Sequence, residues 1–446
     1  MSLDSLTERL ADILARPVEP AARARAARHV LDWIGCAAIG ATTPAGRVLI
    51  EHGRRHGAPG RASAFHLAAM APASAVLVNG GLGNVLEMDD VHRLAILHPG
   101  PVVVPAALAV AQGRGASAAD FLDAVVRGYE AVIRVGGAVG RGHYKFWHNT
   151  GTCGPFGAAA AAASLLGLDA PRTVWALGNA GTQMSGLWQV RLEDAMSKQL
   201  HTARAAHAGL LAAELAEVGF TGPARILEGP LGIFAATCPD GDPEAVVADP
   251  TAPWRLFDTS FKPWPACRHA HAAIDAALLL RERVPADAVQ AVTVECYQDA
   301  ATFCDRPEPR TVTDAKFSLQ HAVAVTLLDG PPPLSAFDPP AMARTDVAAL
   351  SARVRVQVTP RFSDAFPRRY GSALVATLKD GGAMRTEALD ALGDPENPMS
   401  DEQIIAKART LMAAAGLTHE RIDAVVARTL ALAEGGTLES LAEVLP

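Results

Sequence analysis

The chain has 446 residues, half of them hydrophobic and a fifth charged, which is a globular rather than a disordered composition with length for two or three domains. Lys plus Arg number 40 against 47 Asp plus Glu, a formal net charge of -7, and no Lys/Arg-rich run stands out, so no nucleic-acid or anionic-membrane surface is expected. The six cysteines, at 36, 153, 238, 267, 296 and 304, form no CxxC pair, which argues against a disulfide scaffold and against a zinc or iron–sulfur cluster.

The first residues lack both a basic n-region and an apolar h-region and read as a helix start, with Ser5 and Glu8 at capping-box spacing. Alanine-rich helical signals follow at Ala21–Ile39 (Val30, Trp33, Ile34), Ser117–Val135 (Phe121, Val125, Val126, Tyr129), Gly157–Leu168 and Ala203–Val218. Alanine favours helix, and small side chains let helices approach closely, so a tight helical bundle is predicted. The most apolar stretch, Gly154 to Leu168, is shorter than the roughly 20 residues a bilayer span needs, and a soluble, cytoplasmic protein is expected. The Pro/Asp/Gly-rich stretch Cys238–Pro253 reads as a linker. Beyond it the pattern alternates: Val292/Val294/Cys296, Val354/Val356/Val358, and Leu374/Ala376/Leu378 running into Asp380-Gly381-Gly382 and back through Met384 as a hairpin. From Ser400, with Gln403 at capping-box spacing, the chain is helical again. The expected fold class is mostly α: a large all-helical domain (1–250 plus 398–446) and a smaller α+β domain (255–395).

Eight of the 14 histidines fall in short windows rich in Gly, Pro, Asp or Lys. Glu87, Asp89 and Asp90 stand just before His92 and His98. They can bind a divalent metal with a histidine, orient the imidazoles, or cap a helix. The preceding Gly-Gly-Leu-Gly lacks the third glycine and the βαβ setting of a dinucleotide fingerprint. His148-Asn-Thr-Gly-Thr152-Cys-Gly154 runs into an Ala-rich helix, whose N-terminus is a natural seat for a carboxylate, or an ordinary cap; His143 lies just upstream. Lys198, His201 and Arg204 fall on adjacent turns of one helix, giving a cationic patch or a solvated face. Lys262 precedes Cys267-Arg-His269-Ala-His271, where His271 and Asp275 share a helical face. Asp314-Ala-Lys316-Phe-Ser318-Leu-Gln320-His321 adds another patch, or a helix start.

In order along nearly the whole chain, the segments VNGGLGNVLEMDD, HPGPVVVPAALA, GHYKFWHNTGTCGPFGAAAAAA, GTQMSGLWQVRLEDAMSKQLHTARAAHAGLLAA, KPWPACRHAHAAIDAAL, DAKFSLQHAVAVTLLDG and GDPENPMSDEQIIAKA resemble the MmgE/PrpD family. That family includes 2-methylcitrate dehydratase, cis-aconitate decarboxylase and iminodisuccinate epimerase. The resemblance implies a helical domain with an α+β lid, a homodimer, and no metal or organic cofactor. It also implies site residues at Glu87, Asp90, His98, His148, Lys198, Lys262, His271 and His321. The chain departs from the decarboxylase pattern at Glu87, where that enzyme has Asp, and in a longer stretch between Asp90 and His98. Cys267 and His321 stand where it has His and Tyr.

The expectation is a metal-independent hydro-lyase, 2-methylcitrate dehydratase-like, acting on a small di- or tricarboxylic hydroxy acid. His98 and His148 would exchange protons, with His271 and His321 as further candidates, since imidazole titrates near neutrality. Lys198, Lys262 and the helix start at Thr152 would seat substrate carboxylates, beside Glu87, and Asp90 would hold one imidazole. An epimerase or decarboxylase on the same site is the near alternative. A non-catalytic polycarboxylate-binding dimer and a metal hydrolase built on Glu87, Asp89, Asp90 and His98 are the distant ones.

Overall fold

A computed structural model describes residues 4–193 and 195–445. It is 59% helix and 9% strand, a mostly α protein with a smaller α+β part. Two compact units form: one from Met1–Val85, Asp89–Thr259 and Ser400–Pro446, the other from Leu86–Met88 and Ser260–Met399. Among the described residues no single helix is long and apolar enough to cross a membrane.

The first unit is built on helices α1 (Pro20–Ala41), α2 (Gly100–Arg114), α3 (Ala118–Ala138), α4 (Asn149–Leu165) and α5 (Ser197–Glu217). Its centre is α4, which packs on α2, α3 and α5 and buries every residue from Asn149 to Ala163. A helix apolar on all sides belongs inside a core, and the alanines and glycines of α4 let its neighbours come close. A Cβ on Gly157 would lie 2.9 Å from the Gly128 carbonyl oxygen, and one on Gly209 only 2.4 Å from that of Pro155. The Ser5–Glu8 and Ser400–Gln403 capping boxes form as the spacing predicts, and Ser117 caps α3. At 2.5 Å, the buried Lys407–Asp32 pair ties the helix Asp401–Ala414 to α1.

Two expectations need correction here. The helix predicted over Gly157–Leu168 begins earlier, at Asn149, because Gly151, Gly154 and Pro155, which read as turn residues, lie within it. The stretch read as a linker, Cys238–Pro253, is partly core. Val246 and Val247 are buried, and the Arg134 guanidinium donates to the carbonyls of Val246 (3.2 Å), Ala248 (2.6 Å) and Asp249 (3.1 Å). Satisfying those carbonyls is what lets an irregular segment pack inside.

The second unit contains α6 (Arg268–Arg281), α7 (Gln298–Cys304) and α8 (Leu319–Asp329), with strands β1 (Val289–Cys296), β2 (Val354–Val358), β3 (Ser372–Leu378) and β4 (Ala383–Ala388). The sheet order is β2-β1-β3-β4. β1 runs parallel to β2, with Val294 opposite Val356, and antiparallel to β3, with Val294 opposite Leu374. The predicted hairpin joins β3 to β4 through Gly381, whose φ of +86° suits glycine. Val292, Val294 and Cys296 alternate inward as the sequence pattern requires, and α6 packs on β3, β4 and α8.

Candidate active site

In the first unit the segment from Asp89 to His98 carries two adjacent buried carboxylates that turn to different partners. The Asn84 side-chain amide donates to both oxygens of Asp89 (2.9 and 2.8 Å), and Asp89 Oδ2 lies 2.9 Å from His98 Nδ1. The Asp90 backbone oxygen sits 3.0 Å from the same nitrogen. With two acceptors around it, Nδ1 is the nitrogen that donates. The backbone N–H of His98 donates to Thr150 Oγ1 at 3.1 Å, which fixes the residue against the first turn of α4.

His148 caps the N-terminus of α4, and its ring centroid is 6.4 Å from that of His98. It packs against Trp188 (4.5 Å) and pairs through Nδ1 with His201 Nδ1 at 3.1 Å, one nitrogen donating and the other accepting. Burial holds His148 well below the ordinary imidazole range, with Lys198, His201 and His98 adding to the effect. His201 is pushed down to about 4 by burial and by Lys198. Both imidazoles are therefore neutral at pH 7. Lys198 opens α5 one turn before His201 and brings cationic charge to this pair. The cluster thus holds an oriented imidazole, a neutral imidazole pair and an ammonium group.

Asp90 holds an imidazole as expected, but not one of the two proton-transfer candidates. Its Oδ2 accepts from Tyr129 Oη (2.6 Å) and from His29 Nδ1 (2.7 Å), and its Oδ1 accepts from the Gly100 N–H (2.9 Å). It does hold an imidazole, but that of His29, and this network ties together α1, α3 and the start of α2. Asp89 is the carboxylate at His98.

Thr152 also turns elsewhere. Its N–H is bonded within the first turn of α4 to the His148 carbonyl (3.1 Å), and its hydroxyl pairs with His143 Nε2 (2.9 Å). Thr150, two residues earlier, touches His98 instead. His92 accepts the Ala95 N–H at 3.2 Å and is pushed down to about 3 by burial, then by Arg255 and Arg93. Arg204 pairs with His207 (3.1 Å).

In the second unit, Lys262 Nζ is buried 3.8 Å from Glu87 Oε2 and has no hydrogen-bond partner among the described residues. Glu87 has a φ of +59°, a left-handed backbone that a non-glycine residue adopts at some cost. Lys316 Nζ donates to the neighbouring Leu86 carbonyl at 3.2 Å. His271 has both nitrogens engaged: Nε2 donates to the Ala266 carbonyl and Nδ1 accepts from Arg268, each at 3.1 Å. Arg268 in turn pairs with Asp394, so His271 is part of a buried polar scaffold rather than a ready proton-transfer group. His321 Nε2 donates to the Ala336 carbonyl at 2.7 Å, and burial lowers its pKa. Asp275 is committed to Trp264 and the Leu392 N–H.

Asn84 and Thr150, which spacing alone did not single out, complete the histidine cluster together with Asp89 and His201. Among the described residues no three His, Cys, Asp or Glu side chains converge as a metal-binding group.

The profile of the MmgE/PrpD N-terminal domain matches residues 4–246 and that of the C-terminal domain residues 264–432. The chain is 27% identical over 459 residues to the cis-aconitate decarboxylase-like protein oryM of Aspergillus oryzae, covering 94% of this chain and 91% of that protein. It is 28% identical over 419 residues to cis-aconitate decarboxylase of Aspergillus terreus, with 87% and 84% covered. It is 26% identical over 406 residues to that of Homo sapiens, with 86% and 82% covered. With both domains matched in order, the chain belongs to the MmgE/PrpD family.

Proposed function

We propose that the protein is a lyase of small di- or tricarboxylic acids that moves a proton at the carbon next to a carboxylate. The observation that carries this reading is the Asp89–His98 pair, in which Nδ1 is held protonated at 2.9 Å and Nε2 is left as base. Such a carbon acid is weak, so its enolate-like state needs nearby positive charge. Lys198 supplies it beside the histidines.

Dehydration of a hydroxy acid is the first reading. His98 takes the α-proton, the β-hydroxyl leaves with a proton from His148, and the products are an alkene and water. As a neutral imidazole, His148 can donate the proton on one of its nitrogens. Decarboxylation is the second reading, favoured by relatives named cis-aconitate decarboxylase. In it the carbon–carboxylate bond breaks, carbon dioxide leaves, and the carbanion takes a proton. Lys198→Ala is expected to raise KM for the substrate about tenfold or more, with a smaller change in kcat, because a charge-assisted hydrogen bond contributes about 1.5–3 kcal/mol. Steady-state kinetics check this, and an unchanged KM contradicts the carboxylate role.

Proton NMR in D2O with EDTA, against 2-methylcitrate, citrate, cis-aconitate and iminodisuccinate, separates the readings. New olefinic signals mean dehydration, and a vinyl pattern with loss of a carboxyl carbon means decarboxylation. Deuterium entering an α-position without either change means epimerisation. Unchanged spectra throughout would overturn the substrate class.

A further inference from the structure

His148 is buried at the start of α4, and the chain around it is shaped to hold one other imidazole against it. Trp147 and Leu187 form an isolated antiparallel bridge. Across it the His148 N–H donates to the Gly186 carbonyl at 2.8 Å, and the Trp188 N–H donates to the Phe146 carbonyl at 2.9 Å. The bridge brings the Trp188 ring to 4.5 Å from that of His148. From α5 the partly buried His201 reaches the same ring, with the two Nδ1 atoms 3.1 Å apart.

Two glycines make room for that approach. Gly186 has a φ of +117°, and a Cβ there would lie 3.3 Å from His201 Cγ and 3.4 Å from His201 Nδ1. A Cβ on Gly151 would lie 2.5 Å from the Ser185 carbonyl oxygen and 3.3 Å from His201 Cβ. A side chain at either position would crowd His201 where it meets His148.

The contact fixes a proton as well as a ring. With Nδ1 turned to His201, His148 can reach a substrate only through Nε2. A proton donated from there must sit on Nε2, and Nδ1 must then accept. Among the described residues His201 is the hydrogen-bond partner of that nitrogen. We propose that His201 is a positioning residue for the reaction: its Nδ1–H donates to His148 Nδ1, which keeps the His148 proton on Nε2, ready for the leaving group. His201 touches no reacting atom and acts through His148. This rests on the reading of His148 as the proton donor.

The test has two arms. The first uses no substrate and records imidazole N–H correlations at pH 7 in the full chain carrying 15N-labelled histidine. Protons are expected on His201 Nδ1 and His148 Nε2, and the former signal should vanish in His201→Leu. A proton on His148 Nδ1 would overturn the proposal, and the wild-type spectrum decides this whether or not His201→Leu folds. The second arm compares steady-state kinetics and melting temperatures of wild type, His201→Leu and His201→Asn, on the substrate that the D2O panel identifies. Asparagine places an amide nitrogen near the position of Nδ1 and has no counterpart of Nε2. In His201→Leu kcat should fall about 10²-fold, the usual cost of a misplaced reacting group, with KM little changed. His201→Asn should recover about tenfold of that loss. An unchanged kcat in His201→Leu, or a raised KM alone, would overturn the positioning role. So would a His201→Asn enzyme as slow as His201→Leu and restored by added imidazole, which would make His201 a proton relay. The expected protonation pattern in a protein that turns over nothing in the panel would support the His201–His148 bond and leave the fault with the proposed reaction.

Discussion

Asp89 and Asp90 are neighbours in sequence with opposite assignments. Adjacent carboxylates on an irregular loop have no periodicity to say which way each points. Here the direction is set by Asn84 on one side and by His29 and Tyr129, 61 and 39 residues away, on the other. The two substitutions should therefore separate. Asp89→Asn should lower turnover about 10²-fold, the usual worth of a positioned acid–base group, with little change in melting temperature, because the amide can no longer hold the His98 tautomer. Asp90→Asn should cost about 2 kcal/mol of stability, because a buried charged acceptor with three donors is lost. Kinetics and thermal melts on the pair check this, and the reverse pattern would return the catalytic role to Asp90. Thr150 and Thr152 pose a similar problem: both lie in one helical turn, and only packing against His98 or His143 tells them apart. His98 and His148, by contrast, stand together among the residues that the family resemblance implies, and their rings lie 6.4 Å apart.

Among elements, those with a local code were read from sequence. Capping boxes at Ser5 and Ser400 and the alternation of β1, β2 and β3 appear where the residues place them. The start of α4 was legible only to within a turn of Thr152, since Gly151, Gly154 and Pro155 disfavour helix locally and are kept in it by tertiary contact. The same contact makes a prediction. Gly209→Ala would push a methyl to within 2.4 Å of the Pro155 carbonyl, part of the rigid wall of α4. The expected cost is about 1–3 kcal/mol, typical of overpacking, despite the better helix propensity of alanine. A denaturant titration with unchanged or raised stability would contradict this crossing of α4 and α5.

For the whole molecule, the unusual number of buried histidines sets its response to acid. His29, His92 and His201 are pushed from 6.5 down to about 4, about 3 and about 4, first by burial in each case. Their folded values lie below the unfolded one, so the unfolded chain binds more protons between them, and stability is lost as pH falls from about 6.5 toward 4. For His29 alone the full loss is on the order of 3 kcal/mol. Scanning calorimetry should show a melting temperature that drops steadily across that window, and a flat profile would mean these imidazoles are not neutral in the folded state. The buried Val246–Val247 stretch belongs to this scale too: its composition resembles a linker, but both valines join the main hydrophobic core and Arg134, over 100 residues earlier, satisfies its carbonyls.

The measurement that bears most directly on the proposed chemistry is the rate of α-hydrogen exchange into D2O, followed by proton NMR with EDTA present, on a substrate that the polycarboxylate panel identifies. Wild type and His98→Gln would be compared at saturating substrate. If His98 is the base held by Asp89, exchange and turnover should fall together by about 10²–10⁴-fold in the variant, while substrate still protects the protein against thermal unfolding. Exchange at the wild-type rate in His98→Gln would remove His98 from the reaction, and with it the proton-transfer role assigned to the first-unit cluster.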